Sequence, residues 1–125
     1  LEDAGLQPKD IDYICADGAA GRLSDISETR AIKLAFDGYA KKIPVSVPKA
    51  IFGNMLGACG ALDVITTVLA MEHNIIPPTI NYKTPDPDCD LDYCPNHARE
   101  KNIKNALVIN RGRGGINCVL VLQKP

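Results

Sequence analysis

The sequence lacks an excess of charge of either sign: 14 lysines and arginines stand against 15 aspartates and glutamates, a net charge of −1. Nucleic acid and anionic membrane surfaces both reward a strong positive excess, so neither is expected as the main partner. No uninterrupted apolar run is read as reaching the about 18 residues of a membrane span. A charged-then-apolar leader is also missing, although a chain opening on Leu1, in "LEDAG", reads like the last turn of a helix that starts upstream. The five cysteines are an odd number and cannot all pair. Cys89 and Cys94 have four residues between them and no second pair, which does not make a zinc site. Cys15, Cys59 and Cys118 lie in apolar stretches, where a cysteine behaves as a small buried hydrophobe. Reduced thiols without a leader point to the cytoplasm.

What is present is one domain's worth of chain, 125 residues with 46% hydrophobic and 23% charged side chains, enough to bury a core. "DIDYICAD" alternates and then turns apolar, which predicts a strand from about Ile11 to Ala16. Ser24 is read as a helix N-cap, with Asp25 and Glu28 complementing the positive helix end. Ile32, Ala35, Phe36 and Tyr39 follow at helical spacing, predicting a helix over Asp25–Phe36. "IPVSVPK" is a short strand fenced by Pro44 and Pro48.

From Met55 to Met71 the only charge is Asp63, with Thr66 and Thr67 the other clearly polar side chains. A surface helix would show a charged face; this one is apolar nearly all round and wants cover on every side. Gly57, Ala58, Gly60 and Ala61 let another backbone come close. Such a helix implies that the chain is half of a larger layered structure. A proline- and aspartate-rich connecting loop, "NIIPPTINYKTPDPDCDLDYCPN", comes next and contains no repeats. "NALVIN" and "INCVLVLQK" then form an antiparallel hairpin joined by "RGRGG". The order β-α-β-α-loop-β-β is that of an α/β domain.

The "RGRGG" loop opens a strand, whereas a phosphate-cradling glycine loop opens a helix, so it is read as a turn. His73 and His97 have neither a nucleophile nor a second ligand nearby in sequence and are read as structural. Lys49 differs, because it sits after a strand and before a glycine-punctuated turn into the apolar helix. Strand ends of open α/β sheets are where ligands bind, and Asp17 holds the equivalent place after the first strand. Asp17, Lys49 and Asn54 are therefore candidates for one cleft.

Together, "DAGLQPKDIDYICADGAAG", "VPKAIFGNMLGACGALDVI", "IIPPTINYKTPDPDCDLDYCP" and "NRGRGGINCVLVL" resemble, in order and over essentially all 125 residues, the C-terminal half of elongating β-ketoacyl-acyl carrier protein synthases. The resemblance implies a thiolase-like α/β fold, in which a mixed sheet carries a buried central helix and two similar halves pack as five layers. It makes residues 1–125 one ketosynthase C-terminal domain. It also implies condensation of an acyl thioester with malonyl-acyl carrier protein. A cysteine of the N-terminal half takes the acyl group, while two histidines and a lysine of the C-terminal half stabilise charge during decarboxylation. No cofactor and no metal is expected.

Position by position, the lysine matches Lys49. The first histidine, normally in Ala-His-Gly-Thr, is replaced in Ala16-Asp17-Gly18-Ala19. The second, normally after Thr-Gly, is replaced by Asn54 after Phe52-Gly53. The gating loop, usually Phe-Gly-Phe-Gly-Gly, is Arg111-Gly112-Arg113-Gly114-Gly115, which makes Arg111 and Arg113 the candidate substrate-facing positions. Nothing matches the acyl-accepting cysteine.

Asn54 can still donate an amide hydrogen bond to a developing oxyanion, as relatives in the thiolase superfamily do there. An ionised Asp17 would repel it. Asp17 with an Arg-Gly gating loop resembles the chain-length factors of type II polyketide systems, which lack catalytic residues and pair with an active ketosynthase. The expectation is a non-catalytic ketosynthase-like subunit or fragment whose old active-site space is closed by ion pairs of Asp17 with Lys49 or an arginine. Implied partners are acyl carrier protein and an N-terminal half or an active ketosynthase, in a homo- or hetero-oligomer. The alternatives are one piece of an active synthase and a truncated domain with a structural or binding role only.

Overall fold

A computed structural model describes residues 1–125 throughout. The elements run β1 (Tyr13–Cys15), α1 (Arg22–Phe36), β2 (Val45–Ser46), α2 (Lys49–Phe52), α3 (Cys59–His73), β3 (Ile75–Ile76), β4 (Arg99–Glu100), β5 (Asn105–Arg111) and β6 (Asn117–Gln123). Four strands form one sheet in the order β2-β1-β5-β6. β1 pairs in parallel with β2 and β5, while β5 and β6 form the expected antiparallel hairpin, from Asn105 opposite Gln123 to Arg111 opposite Asn117. β3 and β4 make a small separate ribbon.

Strand alternation divides the core into two layers. Ile14, Val45 and Leu107 point to the side of α1, where they meet Ile32 and Phe36. Tyr13, Cys15, Ala106 and Val108 point the other way and meet Ala70 and Met71 of α3. The sheet is thus sandwiched between α1 and α3, the mixed α/β arrangement that the element order predicts. β1 is buried on both faces, as parallel strands covered by helices are, so its apolar run has no polar side to show.

Three expectations are corrected. The first helix begins at Arg22, and its N-cap is Gly21, with extended φ −111° and ψ 128°. Ser24 lies inside the first turn, where its hydroxyl donates to the Gly21 carbonyl at 2.7 Å. A Cβ on residue 21 would fall 2.5 Å from the Ser24 Oγ, so the serine hydroxyl occupies the space a cap side chain would need. Cys118 is exposed rather than buried, because β6 is the sheet's edge strand and nothing in this chain covers it. Finally, Leu56–His73 does reach 18 residues with an apolar composition long enough to cross a membrane. Its first three residues form a 3₁₀ turn and α3 then packs on the sheet, with the charged Asp63 buried in that packing.

Only one face of α3 is covered. Cys59, Asp63, Thr67, Ala70 and Met71, spaced for a single helical stripe, are buried, while Ile65 is 55% exposed and Val68 and Leu69 are nearly half exposed. The helix read as wanting cover on every side keeps an uncovered apolar face, which continues to Leu120 of β6. His73 ends α3, where a histidine complements the helix dipole. The connecting loop is tied back by side chains: Asp90 pairs with Lys33 of α1 and with Lys41, and Asp92 pairs with Arg99.

Candidate functional site

The chain leaves β1 through Asp17 and Gly18. Gly18 has φ +49°, and a Cβ there would lie 2.2 Å from the Val47 Cγ1, so only glycine lets the end of β1 pass this close to the segment after β2. The turn aims the backbone N–H groups of Asp17 and Gly18 at one carboxylate. Glu28, in the second turn of α1, accepts from both, at 2.8 and 2.9 Å. Glu28 is therefore more than an acidic residue near a helix N-terminus; it is buried and clamps the turn that carries Asp17.

Asp17 is itself buried and ion-paired on both oxygens. Oδ1 lies 3.3 Å from Lys49 Nζ, and Oδ2 lies 3.3 Å from Arg111 Nε. Lys49, the first residue of α2, reaches further to Asp63 of α3, at 2.6 Å. Asn110 of β5 donates to the same Asp63 oxygen at 3.1 Å. Arg111, at the end of β5, also lies 3.4 Å from Glu28 and donates to the Ser24 carbonyl at 3.0 Å. The result is a continuous chain of ion pairs, Asp63–Lys49–Asp17–Arg111–Glu28, buried except at the partly exposed Arg111 and drawn from four elements and the β1–α1 turn. The ion pairs expected of Asp17 form, with Lys49 on one oxygen and Arg111 on the other, but they leave a cavity open beside them.

The electrostatics follow from that wiring. Burial works against the charge of Lys49, but the Asp63 and Asp17 carboxylates outweigh it and hold its pKa above the ordinary lysine value. Burial pushes the Glu28 carboxyl above its ordinary value, opposed by the Gly18 and Asp17 N–H groups and by Arg111. One Asp63 oxygen, Oδ1, is buried without a partner. The three carboxylates outnumber the two cations, so the cluster has no spare positive charge to offer a ligand.

Lys49 and Asn54 share the wall of a cavity of about 400 Å³, together with Gly18, Ala19, Glu28 and Tyr93. Asp17 sits behind Gly18 and does not line it. Asn54 is exposed and receives the Leu56 N–H on its side-chain oxygen at 2.9 Å. Arg113 does not join the site: it is exposed in the hairpin turn, beyond the end of β5, and makes no ion pair. Of the five candidate residues, Lys49 and Arg111 each pair with Asp17, Asn54 shares the cavity wall with Lys49, and Arg113 stands apart.

Glu28, Asp63, Asn110 and Cys59 were not singled out from the sequence as site residues. Asp63 carried a signal, as the lone charge in an apolar helix, since a buried charge has to find a counter-ion. Glu28 carried none, because acidic residues in first helical turns are common for local reasons.

Comparison with known proteins places the fold in a family. The sequence profile of the family described as "Beta-ketoacyl synthase, C-terminal domain" matches residues 1–83. A 3-oxoacyl-acyl-carrier-protein synthase 2 from Coxiella burnetii is 47% identical over 99% of this chain and 30% of its own length. Among solved structures, a type II polyketide synthase ketosynthase, bound to a hexaketide and in complex with its acyl-carrier protein, aligns at a TM-score of 0.96 and 41% identity, over 98% of this chain and 30% of that one. The ishigamide ketosynthase/chain length factor aligns at a TM-score of 0.95 and 36% identity, over 100% of this chain and 30% of that one. The chain spans about 30% of the length of the curated relatives it matches. With a profile match over more than half its residues, and a fold shared end to end with thiolase-like ketosynthase structures, the chain belongs to the β-ketoacyl synthase family through its C-terminal domain.

Proposed function

We propose that this chain is the C-terminal part of a non-catalytic, chain-length-factor-like ketosynthase subunit that works beside an active ketosynthase in polyketide or fatty acid assembly. The observation that carries the reading is Asp17, at the position of the family motif's first histidine, held by Lys49 on one oxygen and Arg111 on the other. A histidine there donates to the negative charge that develops as malonate loses carbon dioxide. A carboxylate between two cations only accepts. Loss of one oxyanion donor costs about 10²–10³ in rate, and a carboxylate adds repulsion to that loss. The lysine that would assist is already engaged by Asp63 and Asp17.

The likeness to a ketosynthase/chain length factor structure supports this reading. Acyl carrier protein is the proposed second partner, on the analogy of the ketosynthase solved with its carrier protein. Five free cysteines suit a reducing, cytoplasmic setting.

The test is decarboxylation of malonyl-acyl carrier protein by the intact gene product, alone and mixed with an active ketosynthase. The expected result is no turnover by the wild-type subunit alone, and a gain on Asp17→His. Turnover by the wild type at the rate of an active ketosynthase would overturn the reading. That outcome would favour the second one, a piece of an active condensing enzyme, for which Asn54 supplies the specific support as a remaining amide donor on the cavity wall.

A further inference from the structure

Cys59 is the first residue of α3 and is buried, with Asn54 five residues before it on the cavity wall. Its sulfur accepts the Met55 N–H at 3.1 Å, and its thiol donates to the Asn54 side-chain oxygen at 3.3 Å. The same oxygen takes the Leu56 N–H at 2.9 Å. Two donors therefore converge on one end of the Asn54 amide, and turning it over would set its NH₂ against both of them. The amide nitrogen makes no hydrogen bond within the chain. A cysteine in an apolar stretch packs as a small hydrophobe; this one is wired to a polar side chain.

We infer that Cys59 is a positioning residue that fixes the Asn54 amide with its oxygen inward and its nitrogen free to donate to the carbonyl oxygen of an acyl thioester in the cavity. The thiol acts through Asn54 and touches no ligand itself. Alanine at this position would leave the Leu56 N–H as the only group holding the amide, and the 54–58 turn would lose the bond from Met55. Serine would keep a donor and an acceptor in the same place. The ligand class rests on the ketosynthase-like reading above, and the neutral amide suits a carbonyl that stays neutral: it orients a thioester without stabilising a full negative charge.

The test uses S-acetyl-pantetheine labelled with ¹³C at the carbonyl, bound to the intact gene product and read by isotope-edited infrared difference spectroscopy. A hydrogen bond to the carbonyl oxygen lowers its stretching frequency. The expected result is a downshift on binding to wild type that is lost in Asn54→Leu, reduced in Cys59→Ala and kept in Cys59→Ser. A wild-type shift in Cys59→Ala overturns the positioning role, since a purely structural cysteine would change stability and leave the bound carbonyl unmoved. Absence of a shift in the wild type overturns the thioester assignment. The acetyl probe has no carboxylate to lose, so its spectrum is independent of whether the protein decarboxylates malonate.

Discussion

Arg111 Nε lies 3.3 Å from Asp17 Oδ2, and this contact ties the end of β5, from which the hairpin turn departs, to the end of β1. In a ketosynthase the corresponding loop is expected to gate the active site. Here its first residue is spent on Asp17, on Glu28 and on the Ser24 carbonyl. The substitution at the histidine position and the substitution in the gating loop are thus two halves of one interaction.

Removing either half strands a buried charge. Arg111→Ala leaves Glu28 without its counter-ion and Asp17 with Lys49 alone, and it is expected to destabilise the protein by about 3 kcal/mol, the lower end for a broken buried pair because Arg111 is partly exposed. Urea unfolding of the intact protein measures this. A double-mutant cycle with Asp17→Ala should return a coupling of about 1–3 kcal/mol. Additive losses would show that the two residues do not act together.

The two raised pKa values predict pH dependence of the same sign. Lys49 has a folded pKa above its ordinary 10.5, so its contribution is complete below that pH and is lost as pH rises through the folded value. Lys49→Met should flatten the alkaline limb of a stability–pH curve. Glu28, raised above 4.5, binds its proton more tightly when folded, so its contribution also falls as pH rises through the folded value. The stability of wild type relative to Glu28→Gln should therefore decline on going from pH 4 to pH 7 by about the difference the raised pKa dictates. A rising difference would contradict the sign.

The surface pair behaves in the opposite sense. Hydrogen bonds from Lys33 and Lys41 hold the Asp90 carboxyl down at about 2. Its contribution is present above the ordinary carboxylate range and is lost as pH falls through the folded value. An NMR titration should find the Asp90 midpoint rising toward 3.8 in Lys33→Ala, and in wild type when salt screens the exposed pair.

Gly18 offers a steric test. Gly18→Ala meets both a positive φ and the Val47 side chain at 2.2 Å, and it is expected to cost about 3 kcal/mol, the upper end for local strain. Gly38→Ala meets nothing within 4 Å and should change stability by less than about 0.5 kcal/mol. Thermal unfolding of the two variants side by side gives the comparison.

Much of the architecture was legible because its causes are local. The alternation of "NALVIN" and "INCVLVLQK" around a glycine turn specifies an antiparallel hairpin, and the 3.6-residue spacing of apolar side chains specifies two helices. The residue types at the family's motif positions, Asp17, Lys49, Asn54 and Arg111, are likewise properties of the chain as written. Boundaries read less well: Ser24 has the chemistry of a cap, yet Gly21 has the backbone of one, and the two differ by how closely the next turn approaches. What only the tertiary structure decided is which charges meet. The Asp17 carboxylate meets Lys49 across 31 intervening residues and Arg111 across 93, distances over which neither propensity nor periodicity carries information. Those pairings arise because strand order puts the ends of β1 and β5 side by side, and because a buried carboxylate must take whatever cation the packing brings within reach. The sequence by itself determined that a carboxylate stands where a histidine would; the fold decided that it stands there paired with Lys49 and Arg111.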